Sequence, residues 1–155
     1  MIAKTELIQQ KEFQITGISV RTHNADGQSQ KDIGALWTRF INDELIHEIT
    51  DKVSDDIYCV YTDYETDHTG CYTTVLGCKV TSASVIPDGF MQITIPEGKN
   101  KIYYLSGQFP QKVAEAWQEI WRSNIDRAYT ADYDLYGADP ESFEATEVKI
   151  YLAVK

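Results

Sequence analysis

Three residues with chemical potential alternate along the stretch Ala131-Asp132-Tyr133-Asp134-Leu135-Tyr136. In an extended chain alternate side chains share a face, so Asp132, Asp134 and Tyr136 point one way and Tyr133 and Leu135 the other. The apolar pair is expected beneath a helix, and the acidic set is expected to face outward or into a cleft. A carboxylate inside a ring of aromatics is a receptor for an organic cation. The ring faces are electron-rich and the carboxylate supplies the counter-charge. Asp126, Asp132, Asp134, Asp139, Glu141, Glu144 and Glu147 crowd this part of the chain, with Arg127 the one base among them. Earlier, Asp55, Asp56, Asp63, Glu65 and Asp67 are interleaved with Tyr58, Tyr61 and Tyr64. The plainer alternative, solvated carboxylates that keep an acidic protein soluble, stays open at this level.

Other chemistry is less well supported. Cys59, His68, Cys71 and Cys78 are potential zinc ligands, and His68-x-x-Cys71 has a plausible local spacing. No CxxC or HxxxH accompanies it, and strand parity scatters the thiols, so small buried hydrophobes are the expectation and no metal site is assigned. There is no GxSxG elbow, no Cys-His signature and no phosphate loop. No cofactor is expected. Trp37, Trp117 and Trp121 fall on apolar helical stripes, where core packing is the first reading; at a stripe's edge an indole can also wall a pocket.

The elements that must position these residues follow from periodicity. Phe13 to Thr22 reads as a strand whose apolar phase slips at Gly17, which suggests a bulge. Ser29-x-x-Asp32 fits a capping box before a helix carrying Ile33, Leu36, Trp37, Phe40, Ile41 and Leu45 at helical spacing. Ile57 to Tyr64 and Tyr72 to Val80 read as a hairpin around Asp67-His68-Thr69-Gly70. Phe90 to Ile95 and Lys101 to Leu105 are strands. A helix from Pro110 buries Val113, Ala116, Trp117, Ile120 and Trp121, and Tyr129 to Tyr136 and Val148 to Val154 are the closing strands. Trp37 and Trp117 lie 80 residues apart in corresponding helices, and Tyr61 and Tyr136 lie 75 apart in corresponding strands. This predicts one unit used twice, as two strand–helix–strand–strand layers in one domain.

Composition sets the boundaries. The chain has 155 residues, 24 acidic against 14 basic, for a net charge of −10. Nucleic-acid binding and anionic membrane surfaces need clustered Lys and Arg, and no basic run exists. Hydrophobic residues at 43% can build a core, which excludes disorder. No apolar run approaches the roughly 20 residues that span a bilayer. The opening MIAKTELIQQKEF lacks a signal-peptide h-region, and three cysteines without CxxC are expected to be reduced thiols. A cytoplasmic protein is the expectation.

The segments GISVRT (17–22), DIGALWTRF (32–40), YCVYTDYETDHTGCYTTVLGCKV (58–80), IPEGK (95–99), SGQFP (106–110), AWQEIW (116–121), RAYTADYDLY (127–136) and VKIYLAV (148–154) form an ordered set. Together they resemble the gyrase-inhibitor-like effector-binding domains of AraC-type regulators, most closely the stand-alone integron-associated effector-binding proteins. The resemblance implies an α+β fold, with duplicated βαββ units related by a pseudo-two-fold axis. It further implies antiparallel sheets, two main helices and a ligand cleft between the halves. Residues 1–155 would form a single effector-binding domain, with repeats at about 11–82 and 88–155. It implies a small organic ligand, cationic or aromatic, with no direct nucleic-acid contact and a possible separate regulator protein as partner. Relatives that bind lipophilic cations carry an acidic residue, usually Glu, two residues before a Tyr in the penultimate strand. That position is Asp134 before Tyr136, one methylene shorter. Trp37, Tyr61, Trp117, Tyr136 and Tyr151 would supply walls. Some members of the wider family hydrolyse reactive cyclopropane natural products. The resemblance therefore also admits a detoxifying hydrolase in which Asp134 or Glu65 steers water.

Overall fold

The computed structural model describes residues 2–67, 69–82, 85–105, 111–137 and 148–155. Among the described residues, eight strands form one sheet: β1 (Ile2–Gln10), β2 (Phe13–Thr22), β3 (Ile57–Thr62), β4 (Tyr72–Val80), β5 (Met91–Ile95), β6 (Gly98–Leu105), β7 (Ala131–Tyr136) and β8 (Val148–Ala153). Two helices, α1 (Gln28–Asn42) and α2 (Gln111–Arg122), pack on it. The spatial order is β1-β6-β8-β7-β3-β4-β2-β5, and every neighbouring pair is antiparallel. The fold is α+β, as expected, with the antiparallel strands joined in a single sheet.

The links between strands dictate the shape of that sheet. Only Lys11 and Glu12 join β1 to β2, although five strands lie between them; only Pro96 and Glu97 join β5 to β6, with five strands between those also. Three residue steps reach at most about 11 Å, whereas six strand spacings in a flat sheet come to about 28 Å. The sheet must therefore curl. Its inner face holds Phe13, Ile15, Tyr58, Val60, Val75, Ile95 and Tyr133 as one core. Across the curl, the Tyr133 hydroxyl donates to Gln10 Oε1 at 3.0 Å.

The outer face carries the helices. Leu36 and Phe40 of α1 pack on Ile18, Cys59, Leu76 and Cys78. Val113, Ala116, Trp117 and Ile120 of α2 pack on Leu105, Val148, Ile150 and Leu152. Each Val, Leu, Ile or Phe side chain among these, fully buried, contributes about 1.5–3 kcal/mol of transfer free energy. The strand order maps onto itself when β1 to β4 and α1 are exchanged with β5 to β8 and α2.

Several expectations are corrected. Residues 2–10, outside the first repeat expected at about 11–82, form β1, so the first half is two strands, a helix and two strands. Gly17 forms no bulge: β2 runs in unbroken register with β4 from Gln14 to Thr22. The apolar phase changes because both sheet faces are buried. Phe13 and Ile15 serve the inner core, and Ile18 the outer one. Gly17 instead pairs with Gly77 where the neighbouring strands β2 and β4 approach closely, and an added Cβ would lie 2.2 Å from the Leu76 carbonyl oxygen. The capping box is also absent. Gly27 occupies the N-cap of α1, and Asp32 accepts from Gln28 Nε2 and the Thr22 hydroxyl.

Candidate functional site

α1 and α2 stand side by side over the central strand pair β3–β7, where Cys59 faces Asp134 and Tyr61 faces Asp132 in register. A cleft of about 580 Å³ opens between them. Each helix lines it with one stripe at helical spacing: Gln30, Ile33, Gly34 and Trp37 from α1, and Val113, Ala114, Trp117, Gln118 and Trp121 from α2. Tyr61, Tyr64, Tyr72, Arg127, Asp134 and Tyr136 line its floor and sides, and Asn24, Gly27 and Ser29 complete the lining. At Gly34 an added Cβ would meet nothing within 4 Å.

Asp134 lies at the bottom, 0% exposed. Its Oδ2 accepts from the Tyr61 hydroxyl at 2.6 Å, and its Oδ1 from the Trp117 indole N–H at 2.8 Å. Burial pushes its carboxyl up from the ordinary aspartate range to about 7, against the pull of these two donors. Burial first, then the Asp134 carboxylate, raises the Tyr61 and Tyr136 hydroxyls well above the usual phenol value, so both stay neutral. The rings interlock edge to face: Tyr61 with Trp117 at 5.2 Å, Trp37 with Tyr136 at 4.9 Å and Tyr61 with Tyr72 at 6.0 Å between centroids.

Asp132 forms a second buried centre. Its Oδ2 takes the Arg127 guanidinium at 2.9 Å and the Tyr64 hydroxyl, and its Oδ1 takes the Ala153 backbone N–H at 2.7 Å. Burial is the largest single influence on Arg127 and works against its charge, but Asp132, Tyr64 and Tyr129 together outweigh it and hold the guanidinium protonated. Burial likewise pushes the Asp132 carboxyl up, and Arg127, Tyr64 and the Ala153 N–H act against that.

The structure therefore brings together Asp134, Tyr136, Trp37, Trp117 and Tyr61 from the expected set. It does not bring in Tyr151 or Glu65. Tyr151 lies on the inner face of the sheet, stacked on Tyr133 at 4.6 Å, and Glu65 is exposed outside the cleft. The side of the sheet is also corrected: Asp132 and Asp134 face the helices, whereas Tyr133 and Leu135 face the inner core. Parity gives alternation, and the helices could have covered either face.

Sequence reasoning missed Tyr64, Tyr72 and Arg127 as lining residues. Arg127 carried a signal, as the one base in a long acidic stretch. Cys59 and Cys78 are buried, and burial holds both thiols protonated, Cys78 up to about 12. His68 lies outside the described residues. Among the described residues, no group of three His, Cys, Asp or Glu side chains could hold a metal ion, and no helix is long and apolar enough to cross a membrane. The site can thus surround a flat or globular apolar body with rings and place one carboxylate beneath it.

A family model described as Cass2, integron-associated effector binding protein, matches residues 6–154. The Bacillus subtilis (strain 168) protein YobU, a proposed transcriptional regulator, is 26% identical over 144 residues, covering 90% of each chain. The crystal structure of an integron cassette protein from the mobile metagenome of Vibrio cholerae superposes with a TM-score of 0.76 at 27% identity, covering 99% of this chain and 97% of that one. The structure of SAV2435 bound to tetraphenylphosphonium superposes with a TM-score of 0.75 at 19% identity, covering 98% of this chain and 94% of that one.

Proposed function

The chain belongs to the integron-associated effector binding protein family, and from that premise we propose that its cleft binds a lipophilic organic cation as effector. One observation carries the reading. The Asp134 carboxylate lies directly beneath Tyr61 and Trp117, whose O–H and N–H both point at it. Polarised toward the carboxylate, these rings present electron-rich faces to the cleft. A cation above them interacts with ring and buried charge together, in a space that excludes water. Aspartate in place of glutamate keeps the charge under the rings, so it acts through them. The tetraphenylphosphonium held by SAV2435 is a cation of the kind this geometry suits. The binder is cytoplasmic in this reading, and a separate regulator protein would read its liganded state.

Titration with tetraphenylphosphonium, followed by quenching of tryptophan fluorescence, tests the proposal. Tetraphenylborate, of the same shape and opposite charge, is the control. The cation is expected to bind at least about a hundredfold tighter, as a single desolvated charge reversal implies. Equal binding of the two ions would overturn the cation reading.

A further inference from the structure

Arg127 is the one cation among the described residues that line the cleft. Its side chain is 4% exposed. Nη2 is occupied, donating to Asp132 at 2.9 Å and to the Tyr64 hydroxyl at 3.5 Å. Nε and Nη1 are buried and have no hydrogen-bond partner among the described residues. Buried donors without acceptors are rare because each forfeits its hydration with no return.

The surroundings hold the guanidinium in place without supplying that acceptor. The Tyr129 ring lies 4.3 Å from Cζ, Trp117 5.7 Å and Tyr64 5.9 Å. Tyr129 adopts a φ of +56°, a left-handed conformation uncommon for an aromatic residue, so the chain is bent to hold its ring there. Asp132 already balances the charge of Arg127, so what is missing is a lone pair and not an anion. The position is set as well: the Trp117 N–H binds Asp134 while its ring borders Arg127. The acceptor and the cation would sit about one indole apart.

Resting on the cation reading above, we infer that the effector is a monocation that also carries a neutral hydrogen-bond acceptor, a carbonyl or ester oxygen, and that Arg127 reads this acceptor through Nε and Nη1. The ionised site sums to one negative charge from Asp134, Asp132 and Arg127, which fits a single positive charge on the ligand.

The test compares tetraphenylphosphonium with (4-acetylphenyl)triphenylphosphonium, which differs by one ketone. Wild-type protein is expected to bind the acetyl compound about tenfold more tightly, the worth of a hydrogen bond to a charged donor. Arg127→Lys keeps a charge opposite Asp132 but loses the planar donor pair, and should bring the ratio of the two affinities to unity, whatever it does to the affinity the two cations share. The double variant Arg127→Met with Asp132→Asn removes the ion pair whole and should do the same. Thermal melts identify any variant that fails to fold, and the wild-type comparison decides without them. Equal binding of both cations by wild type overturns the role of Arg127 and leaves the cation reading standing. Failure of both cations to bind wild type overturns the cation reading, and this inference with it; failure of the acetyl compound alone overturns this inference only. A preference that survives in folded variants also overturns it.

Discussion

The indole N–H of Trp117 donates to Asp134 across 2.8 Å, so one buried hydrogen bond ties α2 to β7 at the floor of the cleft. That bond serves a carboxyl which burial has moved into the physiological pH range. The coupling of charge to burial at this point governs how the empty and occupied protein should differ.

Asp134 titrates near 7 in the folded protein and near the ordinary aspartate value of 3.8 when unfolded. The folded state therefore holds the extra proton between those values. Its contribution to stability is complete below about 4 and is lost as pH rises through about 7. A bound cation favours the ionised form, so binding should release a proton. Affinity for tetraphenylphosphonium should rise about tenfold per pH unit below 7 and level off above it. Asp134→Asn should flatten that profile, lower affinity at pH 8, and raise the melting temperature of the empty protein at pH 8. Calorimetric titration in buffers of different ionisation enthalpy, with melts across pH 5 to 8, measures all three.

Gly34 faces the cleft from α1 with open space where a side chain would be. Gly34→Ala should stabilise the helix by about 0.5–1 kcal/mol, since no contact opposes the gain in propensity. Gly34→Leu should fill part of the cleft, lowering affinity for a bulky cation about tenfold or more without lowering the melting temperature. Chemical denaturation and dye titration on the two variants separate the effects.

Trp37 and Tyr133 are both large aromatics, on opposite faces of the sheet. Trp37→Ala should weaken cation binding with a modest loss of stability, because the indole is partly exposed at the cleft wall. Tyr133→Ala removes a side chain that is 2% exposed and stacked on Tyr151, and should cost about 3–5 kcal/mol. Urea unfolding beside ligand titration gives the two patterns.

Gly17 and Gly77 face each other across the β2–β4 pair, and a Cβ on Gly77 would come within 2.0 Å of the Thr16 carbonyl oxygen. Gly17→Ala should destabilise by about 1–3 kcal/mol or more, because backbone and not a flexible side chain must yield. The denaturation midpoint in urea, at unchanged slope, is the readout.

Much of this arrangement is legible in the residues. The helical stripes of Leu36 and Phe40, and of Val113, Trp117 and Ile120, are plain because a helix with one buried face repeats its apolar side chains. β1 is not, because Ile2–Gln10 is an edge strand paired only with β6, and its sequence alternates weakly. Parity placed Asp134 and Tyr136 together, but Tyr151, expected as a wall of the cleft, lies on the opposite face, since which face a helix covers depends on partners far along the chain. Arg127 could be counted as a charge, but only packing reveals that two of its donors have nothing to bind.

The two-residue links that force the sheet to curl have a kinetic consequence. β1 closes on β6, pairing Ile2 with Leu105, and β2 closes on β5, pairing Gly17 with Met91. Each half thus lends an outer strand to the other, and neither is a closed folding unit. Contacts this distant in sequence place folding toward the slow, millisecond-to-second regime. A chain cut between β4 and β5 should leave two fragments that are unstructured apart and regain one cooperative fold when mixed.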